Sequence, residues 1–155
     1  MNTVDVRAKL IELGLELPVA AKPVAAYVPA IRTGNLVFTA GQLPLVDGEM
    51  AGVGKIDGGV TPDRAKELAQ ICALNAIAAV ATVADVNKIS KIVRVVGYVN
   101  GVPGFVNAPQ VVNGASELFL AIWGDGAKHA RSAVGIAELP LNSPVEIELT
   151  VEITD

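Results

Sequence analysis

The chain has 155 residues, of which 52% are apolar and only 18% charged, with a net charge of −4 and a pI near 5.0. That length supports a core of its own, and the composition excludes a disordered chain. It also excludes a protein that holds nucleic acid by neutralising phosphates, because Lys and Arg are scattered and densest only at Lys88, Lys91 and Arg94. One cysteine, Cys72, and one histidine, His129, leave no disulfide framework and no multi-cysteine or zinc site. The surplus of apolar residues suits burial between subunits, so a homo-oligomer is expected.

The first residues carry Asp5, Arg7, Lys9 and Glu12 and lack the apolar stretch of a secretory leader. The apolar run at 71–86 is interrupted by Asn75, Thr82 and Asp85 and is too short to span a bilayer. The expectation is one cytoplasmic domain over 1–155, with no membrane partner and an N-terminal helical extension over 1–17. Within that extension Val6, Leu10, Ile11 and Leu13 have helical spacing, with Thr3 as N-cap and Gly14 as stop. A Pro/Ala connector follows to Pro29. Residues 27–31 and 35–42 read as two strands of a hairpin, with Gly34-Asn35 supplying the positive φ angles of a tight turn. Residues 45–60 are glycine-rich and aperiodic and read as a loop.

Thr61-Pro62-Asp63 opens a helix: a hydroxyl cap, a proline suited to the first position, and an acid that complements the dipole. Ala65, Leu68, Ala69, Cys72, Ala76, Ile77, Val80 and Val83 then repeat at helical spacing on one face. Residues 89–99 are nearly continuous in Val and Ile, which predicts a strand buried on both sides. Pro109 starts a second helix with Val112, Ala115, Leu118, Phe119 and Ile122 inward, ended by Gly124-Asp125-Gly126. Strands at 130–139 and 145–153 complete the order β-β-α-β-α-β-β. Two helices on one face of a mixed sheet is the simplest layering. In the last strand Val145, Ile147, Leu149, Val151 and Ile153 belong under the helices, and Glu146, Glu148, Thr150 and Glu152 point to the uncovered face.

Several residues invite a chemical reading. Cys72 sits on the apolar stripe and reads as core. His129 reads as a polar residue at a strand entrance, since no serine–acid constellation accompanies it in sequence. The glycines at 47–59 do not end in the Gly-Lys-Ser/Thr of a phosphate loop, which leaves only a weak anion site at 61–64. Arg131 stands in an otherwise apolar strand, where a guanidinium needs an anionic partner. Two partners are open: Glu146, Glu148 or another protein carboxylate, or the carboxylate of a ligand held by the planar fork of the guanidinium. Glu146 is either a carboxylate on a solvated sheet face or an acid/base whose pKa is raised by burial beside other glutamates.

Ala130-Arg131-Ser132, followed by Leu139-Pro140 and Val145-Glu146-Ile147-Glu148, resembles the C-terminal signature of the YjgF/RidA family of imine/enamine deaminases, also labelled L-PSP endoribonucleases. Thr39-Ala40-Gly41-Gln42-Leu43-Pro44, Val112-Asn113-Gly114-Ala115-Ser116-Glu117-Leu118-Phe119 and Ala26-Tyr27-Val28 resemble three further family stretches in the same order. The resemblance implies an α+β, chorismate-mutase-like fold, a homotrimer with clefts between subunits, and last two strands that are not sheet neighbours. It implies that Arg131 holds a substrate carboxylate, Glu146 handles the proton and the attacking water, and Tyr27, Ala40, Gly41, Asn113 and Ala133 contribute to the substrate pocket. The substrate would be a 2-imino or 2-enamino acid such as 2-aminoacrylate, hydrolysed to a 2-keto acid and ammonia with no cofactor or metal. The chain departs from the family pattern at Ala40, where Ser is common, at Ala133, where Cys is common, and at Ser116, which replaces an aromatic. A non-catalytic trimer that binds a small carboxylate is the alternative, and an endoribonuclease the third.

Overall fold

The computed structural model describes residues 4–23 and 25–154. The chain runs α1 (Val6–Glu12), β1 (Ala30–Thr33), β2 (Leu36–Thr39), β3 (Leu45–Val46), β4 (Glu49–Met50), β5 (Lys55–Ile56) and β6 (Gly59–Val60). It continues α2 (Pro62–Val80), β7 (Ile89–Val99), α3 (Ala108–Trp123), β8 (Ala130–Gly135) and β9 (Val145–Ile153). Five strands form one mixed sheet in the order β1-β2-β9-β7-β8. Every neighbouring pair is antiparallel except β7 and β8, which are parallel because α3 carries the chain back between them. The last strand, β9, inserts between β2 and β7, so β8 and β9 are not neighbours.

Both long helices form for the reasons written in their first turns and stripes. Thr61 caps α2 by accepting from the Arg64 N–H at 3.1 Å, with Pro62 and Asp63 in the first turn. The expected stripe of α2 is buried through Val80, and the helix ends before Val83, which stays partly exposed. All five expected inner positions of α3 are buried, and Gly124 ends the helix with a φ of +64°. α2 packs on β9 and on α3, and α3 covers β7 and β8. The two helices approach so closely that a Cβ on Gly114 would overlap the Lys66 carbonyl. The Cys72 thiol is fully buried in this layer.

The alternation of β9 separates the faces cleanly: its Val, Ile and Leu side chains lie under the helices and its polar ones on the open face. β7 differs from expectation. It carries two bulges, near Ser90 and Val93, and alternates buried and half-exposed residues rather than being covered on both sides. Its Val96 and Tyr98 stand on the open face. The hairpin strands are shorter than predicted. Pro29 and the bend before it delay β1 to Ala30, while Gly34 makes the turn at a φ of +56°. β8 stops at Gly135 because the chain turns away toward a short 3-10 turn at Pro140–Asn142.

Residues 45–60 are not a plain loop. β3 and β4 form a small ribbon around Asp47-Gly48, both at positive φ, and β5 and β6 form a second, parallel one. The Asp-Gly pair is a hairpin signal that the surrounding glycines obscure. Asp5 caps α1, accepting from the Ala8 N–H at 3.0 Å; the cap expected at Thr3 lies outside the described residues. Among the described residues no helix is long and apolar enough to cross a membrane.

Candidate functional site

The register of the sheet decides where the predicted residues go. Arg131 lies beside Val95 on β8, and Val95 is buried under the helices, so Arg131 points to the helix side. There it reaches the first half of α3. Its Nη1 donates to Asn113 Oδ1 at 2.8 Å and to Ser116 Oγ at 3.2 Å, and its Nη2 donates to the Pro109 carbonyl at 3.3 Å. No carboxylate pairs with it among the described residues, so the salt bridge to Glu146 or Glu148 is not formed. A guanidinium has five N–H donors. Three are used here, which leaves Nε–H and one Nη2 hydrogen open to a further acceptor; a guanidinium that offers Nε–H and Nη2–H side by side grips a carboxylate from the side. Ala133 follows on the same face of β8, packed against the core.

Glu146 is on the other face. It pairs with Tyr98 across β9 and β7, half-buried, with its carboxyl seated directly over Gly41, where any Cβ would overlap it. Burial pushes its pKa above the ordinary carboxylate value, and Glu148, two residues along the same face, pushes it further. The Tyr98 hydroxyl donates to Glu148 Oε2 at 3.1 Å. Burial, and then the Glu148 charge, raise the Tyr98 phenol. Beside them Arg94 donates to Ser132 Oγ at 3.2 Å.

Tyr27 and Ala40 lie by the start of β1, where the Ala40 N–H donates to the Pro29 carbonyl at 2.8 Å. Tyr27 is 54% exposed. The chain after Gly41 then pairs through Gln42 with Ile147, next to Glu146. The seven residues therefore fall into two groups. Arg131, Asn113 and Ala133 lie at the β8 edge on the helix side, and Glu146 lies on the open face of the central strand β9 over Gly41, with Ala40 and Tyr27 by the start of β1. β9 and β8 are separated by β7, two strand spacings or about 10 Å, and the sheet itself stands between Glu146 on the open face and Arg131 on the helix side. Within one chain the two groups cannot act on one small molecule.

One pair escaped the sequence reading. Ser116 Oγ and His129 Nε2 are 2.9 Å apart, and His129 Nδ1 is 2.7 Å from the Ala127 carbonyl. The two residues are 13 apart in sequence. The signal was the stop at Gly124, which reverses the chain so that the entrance to β8 runs back along α3. At the start of α2 the Arg64 guanidinium donates to Glu67 at 2.7 Å and to the Ala51 carbonyl at 3.0 Å. No group of three or more His, Cys, Asp or Glu residues among those described is placed to hold a metal ion. A groove of about 520 Å3 lined by residues of α2 and α3 contains none of the seven residues.

A five-stranded mixed sheet with β9 inserted, two helices on one face and an arginine at its edge defines a chorismate-mutase-like α+β protein. The chain belongs to the YjgF family: residues 7–153 match the family model described as "YjgF/chorismate mutase-like, putative endoribonuclease". It is 34% identical over 152 residues to Protein TCP17 of Trypanosoma cruzi, covering 97% of this chain and 95% of that one. Among solved structures it is similar to Atu1372 of Agrobacterium tumefaciens, a protein of unknown function, at 42% identity and a TM-score of 0.87, covering 96% and 92% of the two chains. It is also similar to a protein of Shewanella oneidensis described as a "putative endoribonuclease", at 29% identity and a TM-score of 0.89, covering 94% and 97%.

Proposed function

We propose that this chain binds small carboxylates through Arg131 and hydrolyses 2-imino or 2-enamino acids, such as 2-aminoacrylate, in clefts between the subunits of a homotrimer. The observation that carries the reading is an arginine with three donors spent on α3 and its Nε–H and one Nη2 hydrogen left over. A substrate carboxylate accepts both free hydrogens and is thereby oriented with its C2 carbon fixed. The imine tautomer is already electrophilic at C2. Glu146, with its raised pKa, takes a proton from water as the oxygen adds to C2. That proton passes to nitrogen, giving a carbinolamine; the hydroxyl then gives up its own proton, which also reaches nitrogen as the C–N bond breaks and C=O forms, and ammonia and the 2-keto acid leave.

Because Arg131 and Glu146 lie on opposite faces of the sheet, Glu146 and Tyr27 must come from a second copy. Ile31, Phe38 and Val134 on the open face, all more than 40% exposed in the single chain, support such an assembly. The test is ammonia release from 2-aminoacrylate generated in situ. Wild-type protein accelerates it, and Arg131→Ala lowers kcat/KM by about two orders of magnitude, the loss expected for two hydrogen bonds to a charged group. A wild-type rate no higher than that of buffer refutes the reading for that substrate. Sedimentation showing a monomer at assay concentration refutes the shared cleft.

Ala40 and Ala133 favour a second reading, a trimer that binds a carboxylate metabolite without turnover, since both positions lack a polar atom that could assist the chemistry. It predicts that 2-keto acids raise the Tm of wild-type protein and not of Arg131→Ala, with no ammonia formed. RNA cleavage finds no support in a face that presents Glu146, Glu148 and Glu152 on a chain of net charge −4.

A further inference from the structure

Arg131 is useful to a ligand only if the correct edge of its guanidinium is left open, and Ser116 with its neighbour His129 governs that edge. The Ala127 carbonyl can only accept, so the His129 Nδ1 at 2.7 Å from it carries the proton. In the neutral ring Nε2 is then bare, and Ser116, 2.9 Å away, donates its hydroxyl hydrogen to it. That fixes the rotation of the hydroxyl. With its hydrogen committed to His129, Ser116 Oγ turns a lone pair toward Arg131 Nη1, 3.2 Å away. The ring itself is held by Phe119, with centroids 6.0 Å apart and planes at 83°. Phe119 is fully buried in the core, and so is Ala127 in the turn after α3. A continuous chain of contacts thus runs from the core through His129 and Ser116 to one end of the guanidinium.

We infer that Ser116 and His129 are positioning residues for the carboxylate anchor: they hold Arg131 by its Nη1 end and so turn the Nε–Nη2 edge toward the ligand. The inference rests on the reading of Arg131 as that anchor. Neither residue touches the ligand. Asn113 shares the task by accepting from the same Nη1, so removal of one partner weakens the hold without abolishing it. The aromatic that is common in the family at position 116 could not accept a hydrogen bond through a ring carbon. The serine here and the histidine at 129 therefore act as a unit.

The experiment measures binding of pyruvate, a 2-keto acid, by calorimetry, with folding checked by circular dichroism. Arg131→Ala abolishes binding. Ser116→Ala, which removes one oxygen, weakens it about tenfold, as expected for one hydrogen bond to a charged group. His129→Phe keeps an aromatic ring against Phe119, loses the acceptor, and weakens binding to the same extent. The double variant is no worse than either single one, because both break the same chain. His129→Gln restores an acceptor near the Nε2 position and binds within about threefold of wild type. Should His129→Phe fail to fold, Ser116→Ala still decides: the 15N–1H signal of Arg131 Nε reports faster rotation about Nε–Cζ in that variant.

If Ser116→Ala binds within twofold of wild type while Arg131→Ala does not bind, the positioning role is overturned and the anchor stands. A His129→Gln variant as weak as His129→Phe likewise overturns it. Wild-type protein that does not bind, or binding that survives Arg131→Ala, overturns the anchor and the inference with it.

Discussion

Replacing Gly114 by alanine should destabilise this protein, against the ordinary rule for helix interiors. In an unconstrained helix the change stabilises by about 0.5–1 kcal/mol, because glycine loses more backbone freedom on folding. Here the added Cβ would overlap the Lys66 carbonyl oxygen of α2, stand 2.9 Å from that carbonyl's carbon and meet the Ala69 Cβ at 3.2 Å. Both obstructions on Lys66 are main-chain atoms, so no rotamer change relieves them and the helices must separate. Overpacking of this kind costs roughly 1–3 kcal/mol, and a backbone clash belongs at the upper end. Less the propensity gain, the net loss is about 2 kcal/mol, or roughly 4–8 °C in Tm for a chain of this length. Urea denaturation followed by circular dichroism gives the same quantity as a lower midpoint at unchanged slope. Because Asn113 and Ser116 flank this position, the displaced helix should also loosen its hold on Arg131 and weaken carboxylate binding. A midpoint equal to or above that of wild type refutes the claim that the α2–α3 crossing is closed to a methyl group.

Glu146→Gln should change the pH dependence of stability. The folded state raises the Glu146 pKa through burial and Glu148, so the folded chain binds this proton more tightly than the unfolded one. The contribution is fully present below the unfolded value of about 4.3 and is lost as pH rises through the raised folded value. The variant should therefore gain on wild type between acid and neutral pH in paired urea titrations; a difference that stays constant with pH contradicts the burial argument. Gly41→Ala should drive the Glu146 carboxyl out of its seat and return its pKa toward the ordinary range, read by 13C NMR of the side-chain carboxyl. An unmoved titration would mean that Gly41 does not shape that seat.

Local signals carried most of the architecture. Thr61, Pro62 and Asp63 start α2 for reasons intrinsic to three adjacent residues, and the period-two alternation from Val145 to Ile153 assigns a face to every side chain in β9. Sheet order was not legible that way. Nothing in β9 itself states that it inserts between β2 and β7, and the resemblance, not the pattern, implied that it would not neighbour β8. Valine and isoleucine in β7 suggested burial on both sides, because hydrophobicity reports that a face is covered and not whether the same chain covers it. The site was legible as a set of residue types and not as a geometry. Arg131 and Glu146 are 15 positions apart in sequence, yet the turn after β8 places them on opposite faces. The Ser116–His129 bond depends on a chain reversal at Gly124, and so it follows from topology rather than from either residue.

The seven-residue α1 has a consequence for the order in which the protein assembles. Its N-terminal Val6 N–H donates to Asn87 Oδ1 at 2.9 Å, a partner 81 positions later, its Val6 and Leu10 are buried, and the helix contacts α3. A helix this short does not hold together alone in water. It is synthesised before α3, yet the surface that stabilises it is complete only after α3 has been made. An element made before α3 thus docks only after it, and its docking reports that α3 is in place.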